Sequence, residues 1–228
     1  ITRKKGSLLI MPPHILKSST ALESKFEEEY IETIKDSFNQ FDTIYACVSP
    51  ICLDKGMWTD TFKKHGIKVI SGAKHNDSFA LNRMATLFRY FDVVTTPSFG
   101  SHFYYALYFG ARVSIWGKYQ EIPKSNIQKD DTWRHIPEVA ARFFDPKWRK
   151  SQELEYFEKH HVAPQEAVRD EDLGAWFLGA EYKRSPEELK ELFGWTPLGM
   201  AKNSASKLYK KIRTSKLVIK MVSLIPGK

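Results

Sequence analysis

Cysteine is nearly missing from this chain of 228 residues. Only Cys47 and Cys52 occur, so neither a disulfide framework nor a zinc site is indicated, and a reducing compartment fits. No apolar run reaches the ~18 to 20 residues that a bilayer-spanning helix needs. The Gly-x-Gly-x-x-Gly dinucleotide fingerprint and the Walker phosphate loop are both missing, which argues against NAD chemistry and ATP hydrolysis. There is no Gly-x-Ser-x-Gly nucleophile elbow, no internal repeat and no low-complexity tract. His160 and His161 adjoin each other without partners at metal-ligand spacing and read as surface residues; neither a metal nor a cofactor is expected. The chain opens on Ile1 with no signal-like segment, as a piece of a longer protein would.

What is present describes a globular protein. Hydrophobic residues make up 42% and aromatic residues 14%, too many for a disordered chain. The net charge of +8 is unevenly placed: Lys202, Lys207, Lys210, Lys211, Arg213, Lys216, Lys220 and Lys228 face no acidic residue between 202 and 228 and account for all of it. Residues 1–201 are therefore formally neutral. A basic stripe confined to a terminal helix points to an acidic surface met by the tail, and no aromatic-basic interleaving suggests nucleic acid.

Periodicity divides the chain. Short apolar runs at Ser7–Met11, Thr43–Val48, Ile67–Ile70, Asp92–Thr95 and Val113–Gly117 read as buried parallel strands. Between them, Leu22, Phe26, Tyr30, Ile34 and Phe38 recur at helical spacing, Met57–His65 reads as a helix stopped by Gly66, and Ser78–Tyr90 reads as a helix with Phe79, Met84, Leu87 and Phe88 on its apolar side. Strands alternating with helices predict an α/β fold with a doubly wound parallel sheet, followed by a mainly helical C-terminal region. The expected divisions are a Rossmann-like domain over 1–118, a helical extension over 119–201 and a basic amphipathic helix over 202–228. Ser185-Pro186-Glu187-Glu188 carries the capping-box signature of a helix start. Leu208, Ile212, Ile219 and Val222 fall on one side of the last helix. The runs Glu27–Glu29 and Glu187–Glu188 are expected on solvated helix faces or starts.

The most informative stretch is Asp92-Val93-Val94-Thr95-Thr96-Pro97-Ser98-Phe99-Gly100-Ser101-His102, running into a helix and a further strand. A helix N-terminus lacks acceptors for its first N–H groups and carries roughly half a positive charge, so Ser98, Gly100, Ser101 and His102 form a candidate phosphate cradle. The plainer role is capping by a serine with Gly100 permitting the turn. Right-handed crossovers place every loop that follows a strand along one edge. That edge adds Ser49 before Pro50, His75 between Lys74 and Asn76 as a lining of the base pocket, and His14 behind Pro12-Pro13 as the candidate catalytic base.

The residues Asp92-Val93-Val94-Thr95, Ser98-Phe99-Gly100-Ser101-His102, Ala106-Leu107 and Gly110-Ala111-Arg112-Val113-Ser114-Ile115 resemble the phosphate turn, helix and following strand of the C-terminal nucleotide-sugar-binding domain of GT-B glycosyltransferases, in the form found among bacterial capsule and lipopolysaccharide enzymes. The resemblance covers about half the chain, Leu8 to Gly117. It implies the donor-binding half of a glycosyltransferase, with a nucleotide-sugar as substrate, no cofactor and a glycan or lipid-linked acceptor; the family's N-terminal acceptor domain is not in this sequence, which leaves either a chain parted from that half or a single-domain relative. It implies that Ser98, Gly100, Ser101 and His102 lie at the donor phosphates, and that the nucleoside lies along the neighbouring loops. Tyr104-Tyr105-Ala106-Leu107-Tyr108 stands where many retaining members carry acidic residues, which argues against a retaining enzyme of that type, and Ser49-Pro50 stands where CMP-sugar enzymes carry His-Pro, so the donor base is open. The expected location is cytoplasmic, with the tail from 202 to 228 against the inner face of a membrane. Two further readings are a relative of the non-hydrolysing UDP-GlcNAc 2-epimerases and a non-catalytic scaffold module of a polysaccharide assembly complex.

Overall fold

The computed structural model describes residues 1–13, 24–74, 76–97, 99–117, 128, 133–143 and 145–213. Five strands, β1 (Lys4–Ile10), β2 (Thr43–Val48), β3 (Lys68–Ser71), β4 (Phe91–Thr96) and β5 (Arg112–Ile115), form one sheet in the order β3-β2-β1-β4-β5. All four pairings are parallel. The chain is therefore α/β, a Rossmann-like doubly wound sheet followed by a helical region.

Side chains of central strands point alternately to the two faces, and each face has its own core. Leu8, Ile10, Ala46, Val48 and Val93 meet Tyr30, Ile31, Ile34, Trp58 and Phe62 on one side. Leu9, Cys47, Val94, Val113 and Ile115 meet Phe88, Phe103, Ala106, Leu107 and Phe157 on the other. The first layer comes from helix α1 (Ser24–Ile34) with α2 (Pro50–Asp54) and α3 (Thr59–Lys64); the second comes from α4 (Ala80–Tyr90) and α5 (Ser101–Tyr108). Leu22 lies outside the described residues.

Three expectations are corrected by the chain's own geometry. The single helix read over Met57–His65 begins at Thr59, because Trp58 takes a left-handed backbone (φ 68°) that no helix interior accepts. Trp58 is fully buried, and its N–H donates to Glu27 Oε1 at 2.9 Å, while Thr61 Oγ1 donates to Glu27 Oε2 at 2.7 Å. Glu27 is thus a buried anchor for the start of α3, not a solvated member of a glutamate run. The helix read from Ser78 starts at Ala80, after a turn in which Asp77 Oδ1 accepts from the Phe79 N–H at 2.8 Å, and this turn leaves Phe79 exposed.

The helical region contributes α6 (Pro137–Phe143), α7 (Pro146–Phe157) and α8 (Glu171–Phe177) to the same compact unit as the sheet, Ile1–Leu178. It covers the open edge of β5, which would otherwise present unpaired backbone groups. Val113 N–H donates to Val168 O at 2.8 Å, Ser114 Oγ to Val162 O at 2.6 Å, and His160 Nδ1 lies 3.1 Å from Val113 O. Gly174 in α8 lies so close to α5 that a Cβ there would sit 2.4 Å from the Tyr108 nitrogen. His160 and His161 are accordingly not surface residues: His160 is fully buried, edge-on to the Phe103 ring at 5.1 Å, and His161 is half-buried.

A second unit, Gly179–Lys228, holds α9 (Pro186–Leu192) and α10 (Pro197–Arg213). The capping box is complete: Glu188 N–H donates to Ser185 Oγ at 3.1 Å and Ser185 N–H donates to Glu188 Oε2 at 2.7 Å. Among the described residues no helix is long and apolar enough to cross a membrane.

Candidate functional site

The strand order decides where a ligand edge falls. From β1 the chain crosses outward to β2 and β3, and from β4 it crosses the other way to β5, so the loops leaving β1 and β4 diverge and open a crevice between them. Met11 N–H donates to Thr95 O at 2.8 Å and Trp116 N–H donates to Thr96 O at 2.9 Å, so the ladder continues to the rim on both sides of β4. Pro12 and Pro13 follow β1 on one side of this switch point, and Pro97, Phe99 and Gly100 follow β4 on the other.

At this rim α5 starts with Gly100 as its N-cap, a residue with no side chain to cap the helix, and no acidic residue occupies its first turn. The positive end of the helix therefore meets neither a capping oxygen from that residue nor a carboxylate of its own. Ser101 is exposed and His102 half-buried. His102 Nε2 is 2.9 Å from Thr96 Oγ1, and its ring lies over Gly100, where a Cβ would meet Cε1 at 3.1 Å and Nδ1 at 3.2 Å. Thr96 thus fixes which way the imidazole faces, and Gly100 leaves it room.

The structure brings Gly100, Ser101 and His102 together at one helix start. Ser49 lies at the end of β2 as the N-cap of α2, where its carbonyl accepts from Cys52 at 2.9 Å and Leu53 at 3.0 Å while its hydroxyl makes no cap bond. Ser98, His14 and His75 lie outside the described residues, as does the chain from 118 to 127. Gly117, just past β5, has φ +109°, and a Cβ there would lie 2.6 Å from Tyr30 Cε2. The fully buried Tyr30 hydroxyl beside it has no hydrogen-bond partner among the described residues, and burial raises its pKa well above the ordinary phenol value.

Sequence reasoning missed the residues that hold the turn from behind. Arg149 on α7 donates from its guanidinium to Phe99 O at 3.2 Å and stacks on the Phe99 ring at 5.1 Å. One turn further along the helix, Glu153 accepts the Phe99 N–H. Both side chains are about nine-tenths buried. Burial raises the Glu153 pKa above the usual carboxylate range, and Arg149, the Phe99 N–H and Lys150 oppose that rise. His161 Nε2 stands 3.7 Å from Glu153 Oε2, with its pKa lowered by burial and then by Lys150. The available signal was Asp145-Pro146, where Asp145 Oδ1 caps α7 by accepting from Lys147 N–H at 2.8 Å; it announces the helix but not its target, which is 50 residues away in sequence.

Among the described residues no group of three or more His, Cys, Asp or Glu is placed to hold a metal ion. No family model, curated protein or solved structure matches the chain.

Proposed function

We propose that the chain is the donor-binding half of a GT-B-type glycosyltransferase, moving a sugar from a nucleotide-sugar to a surface-polysaccharide or lipid-linked acceptor. The observation that carries this reading is the glycine-capped start of α5 at the crevice between β1 and β4, with His102 oriented over it by Thr96. In transfer the bond from the sugar carbon to the nucleotide phosphate breaks as the bond to the acceptor oxygen forms, and negative charge grows on the departing phosphate. Fixed N–H donors and an oriented imidazole stabilise that charge without reorganising. Gly100, Ser101 and His102, with Ser98, are assigned to the phosphates, Ser49 and His75 to the nucleoside, and His14 to the proton of the acceptor hydroxyl.

The test is calorimetry of the chain with UDP, CMP and GDP beside a Ser101→Ala/His102→Ala variant. One of the three is expected to bind, and the variant to bind it about tenfold or more weaker, since each lost hydrogen bond to a charged group is worth about 1.5–3 kcal/mol. Equal affinity in the variant, or no binding of any nucleotide by the wild type, rejects the assignment.

A further inference from the structure

Independently of the donor site, we propose that the bend joining α9 (Pro186–Leu192) to α10 (Pro197–Arg213) docks on an anionic lipid bilayer, with Leu192, Phe193, Trp195 and Leu198 entering the interface and the following lysines meeting the headgroups. These four side chains are 70, 57, 63 and 67% exposed. Water-facing surfaces seldom gather so much apolar area within seven residues without a partner. The Phe193 and Trp195 rings stack on each other at 4.9 Å, so one flat aromatic pair stands at the tip of the bend.

The bend is braced. Gly194 turns left-handed (φ 63°), Trp195 N–H donates to Lys190 O at 2.7 Å, and Thr196 Oγ1 accepts from Gly199 N–H at 3.1 Å. A Cβ on Gly199 would sit 2.4 Å from Gly194 O, so α10 begins pressed against the turn. A pre-ordered tip loses little conformational entropy when it enters an interface.

The charge selects the occupant. After Glu191 the chain has eight Lys or Arg and no acidic residue as far as Lys228, and Lys202 and Lys207 are exposed on α10. That excess repels a basic partner and favours a polyanion. Apolar side chains at the tip beside cations fit a surface that is both oily and negative, which an anionic bilayer is and a nucleic acid is not. Tryptophan favours that boundary because its ring is apolar and its N–H is polar.

Sedimentation of the full chain with vesicles tests the proposal. Binding is expected to vesicles of phosphatidylcholine mixed with phosphatidylglycerol, to be far weaker on phosphatidylcholine alone, and to fall as salt rises. Phe193→Ser/Trp195→Ser is expected to weaken binding about tenfold or more. Leu198→Asp is expected to do the same while folding normally, because an acidic residue in the first turn of α10 suits the helix dipole. Quencher-labelled lipid should reduce wild-type fluorescence more than that of Trp195→Phe. Equal binding to both lipids, unaltered binding in both variants, or a wild-type dimer that Phe193→Ser/Trp195→Ser converts to a monomer would overturn it.

Discussion

Replacing Arg149 by Met keeps an unbranched apolar stem in the space beside Phe99 and deletes the charge. The Phe99 carbonyl then loses a charged donor now at 3.2 Å, a loss worth about 1.5–3 kcal/mol. Glu153 loses the cation that most opposes its desolvation, so its pKa moves further up. The carboxyl escapes part of this cost by taking a proton, at about 1.4 kcal/mol for each pH unit between its pKa and the solvent. Together the two losses come to about 2–5 kcal/mol near pH 7, or a Tm lowered by about 5–15 °C for a chain of this size. Near pH 5 protonation is cheaper, and the deficit shrinks by about 1–2 kcal/mol. Urea unfolding followed by far-ultraviolet circular dichroism at both pH values measures both quantities. A deficit under about 1 kcal/mol near neutrality, or one of equal size at the two pH values, refutes the clamp. Because Phe99 adjoins Gly100, the same variant should also weaken nucleotide binding at temperatures where it remains folded.

Two further outcomes follow from buried polar groups. Burial lowers the His160 pKa despite the Val113 carbonyl and Asp170, which favour its charged form. The ring is therefore neutral in the fold while the unfolded chain takes a proton below about pH 6.5. Stability from this group is complete above that pH and is lost as pH falls toward the lower folded value. His160→Gln should flatten the fall in Tm between about pH 6.5 and 5; an unchanged slope would place the acid sensitivity elsewhere. Glu27→Ala strands the Trp58 N–H and the Thr61 hydroxyl and should cost about 3 kcal/mol by urea unfolding. Glu27→Gln, which keeps an acceptor oxygen, should cost visibly less, and equal costs would show that packing rather than bonding is lost.

The sheet was legible because strands buried on both faces are rich in apolar residues: Leu8-Leu9-Ile10 and Val93-Val94 are fully buried, and such runs stand out against any helical pattern. The turn after β4 was legible because its proline and glycine are local signals with a local cause. What stayed hidden depends on distant partners. Glu27 is read as solvated until Trp58, 31 residues on, needs its carboxylate. His160 is read as a surface ring until Val113, 47 residues back, offers a carbonyl. Trp58 in a left-handed conformation contradicts its own propensity, and its contacts with Phe26, Tyr30 and Phe62 together with the Glu27 bond explain why the chain accepts it.

The two ends of the sheet are built for different tasks. At the end where β1 and β4 begin, Arg3 donates to Phe88 O at 2.9 Å, Arg112 and Arg169 pair with Asp92 at 3.0 and 3.4 Å, and Arg89 lies over the Phe109 ring at 4.2 Å. An open depression of about 440 Å³ lies there, yet Arg3 already serves the Phe88 carbonyl and Arg169 serves Asp92, and the helix ends beside it, at Phe88 and Phe109, present carbonyls that repel an anion. At the opposite end β4 turns polar just before it stops. Thr95 donates to Ser114 Oγ at 3.3 Å, and Thr96 meets His102. The two buried threonines that close β4 after Val93 and Val94 place hydrogen bonds where they orient neighbours rather than add cohesion. The imidazole so oriented stands over the start of α5, a helix of eight residues that begins on a glycine. Arginine-bonded carbonyls at one edge and a helix start on Gly100 at the other give the two ends of the sheet opposite electrostatic character.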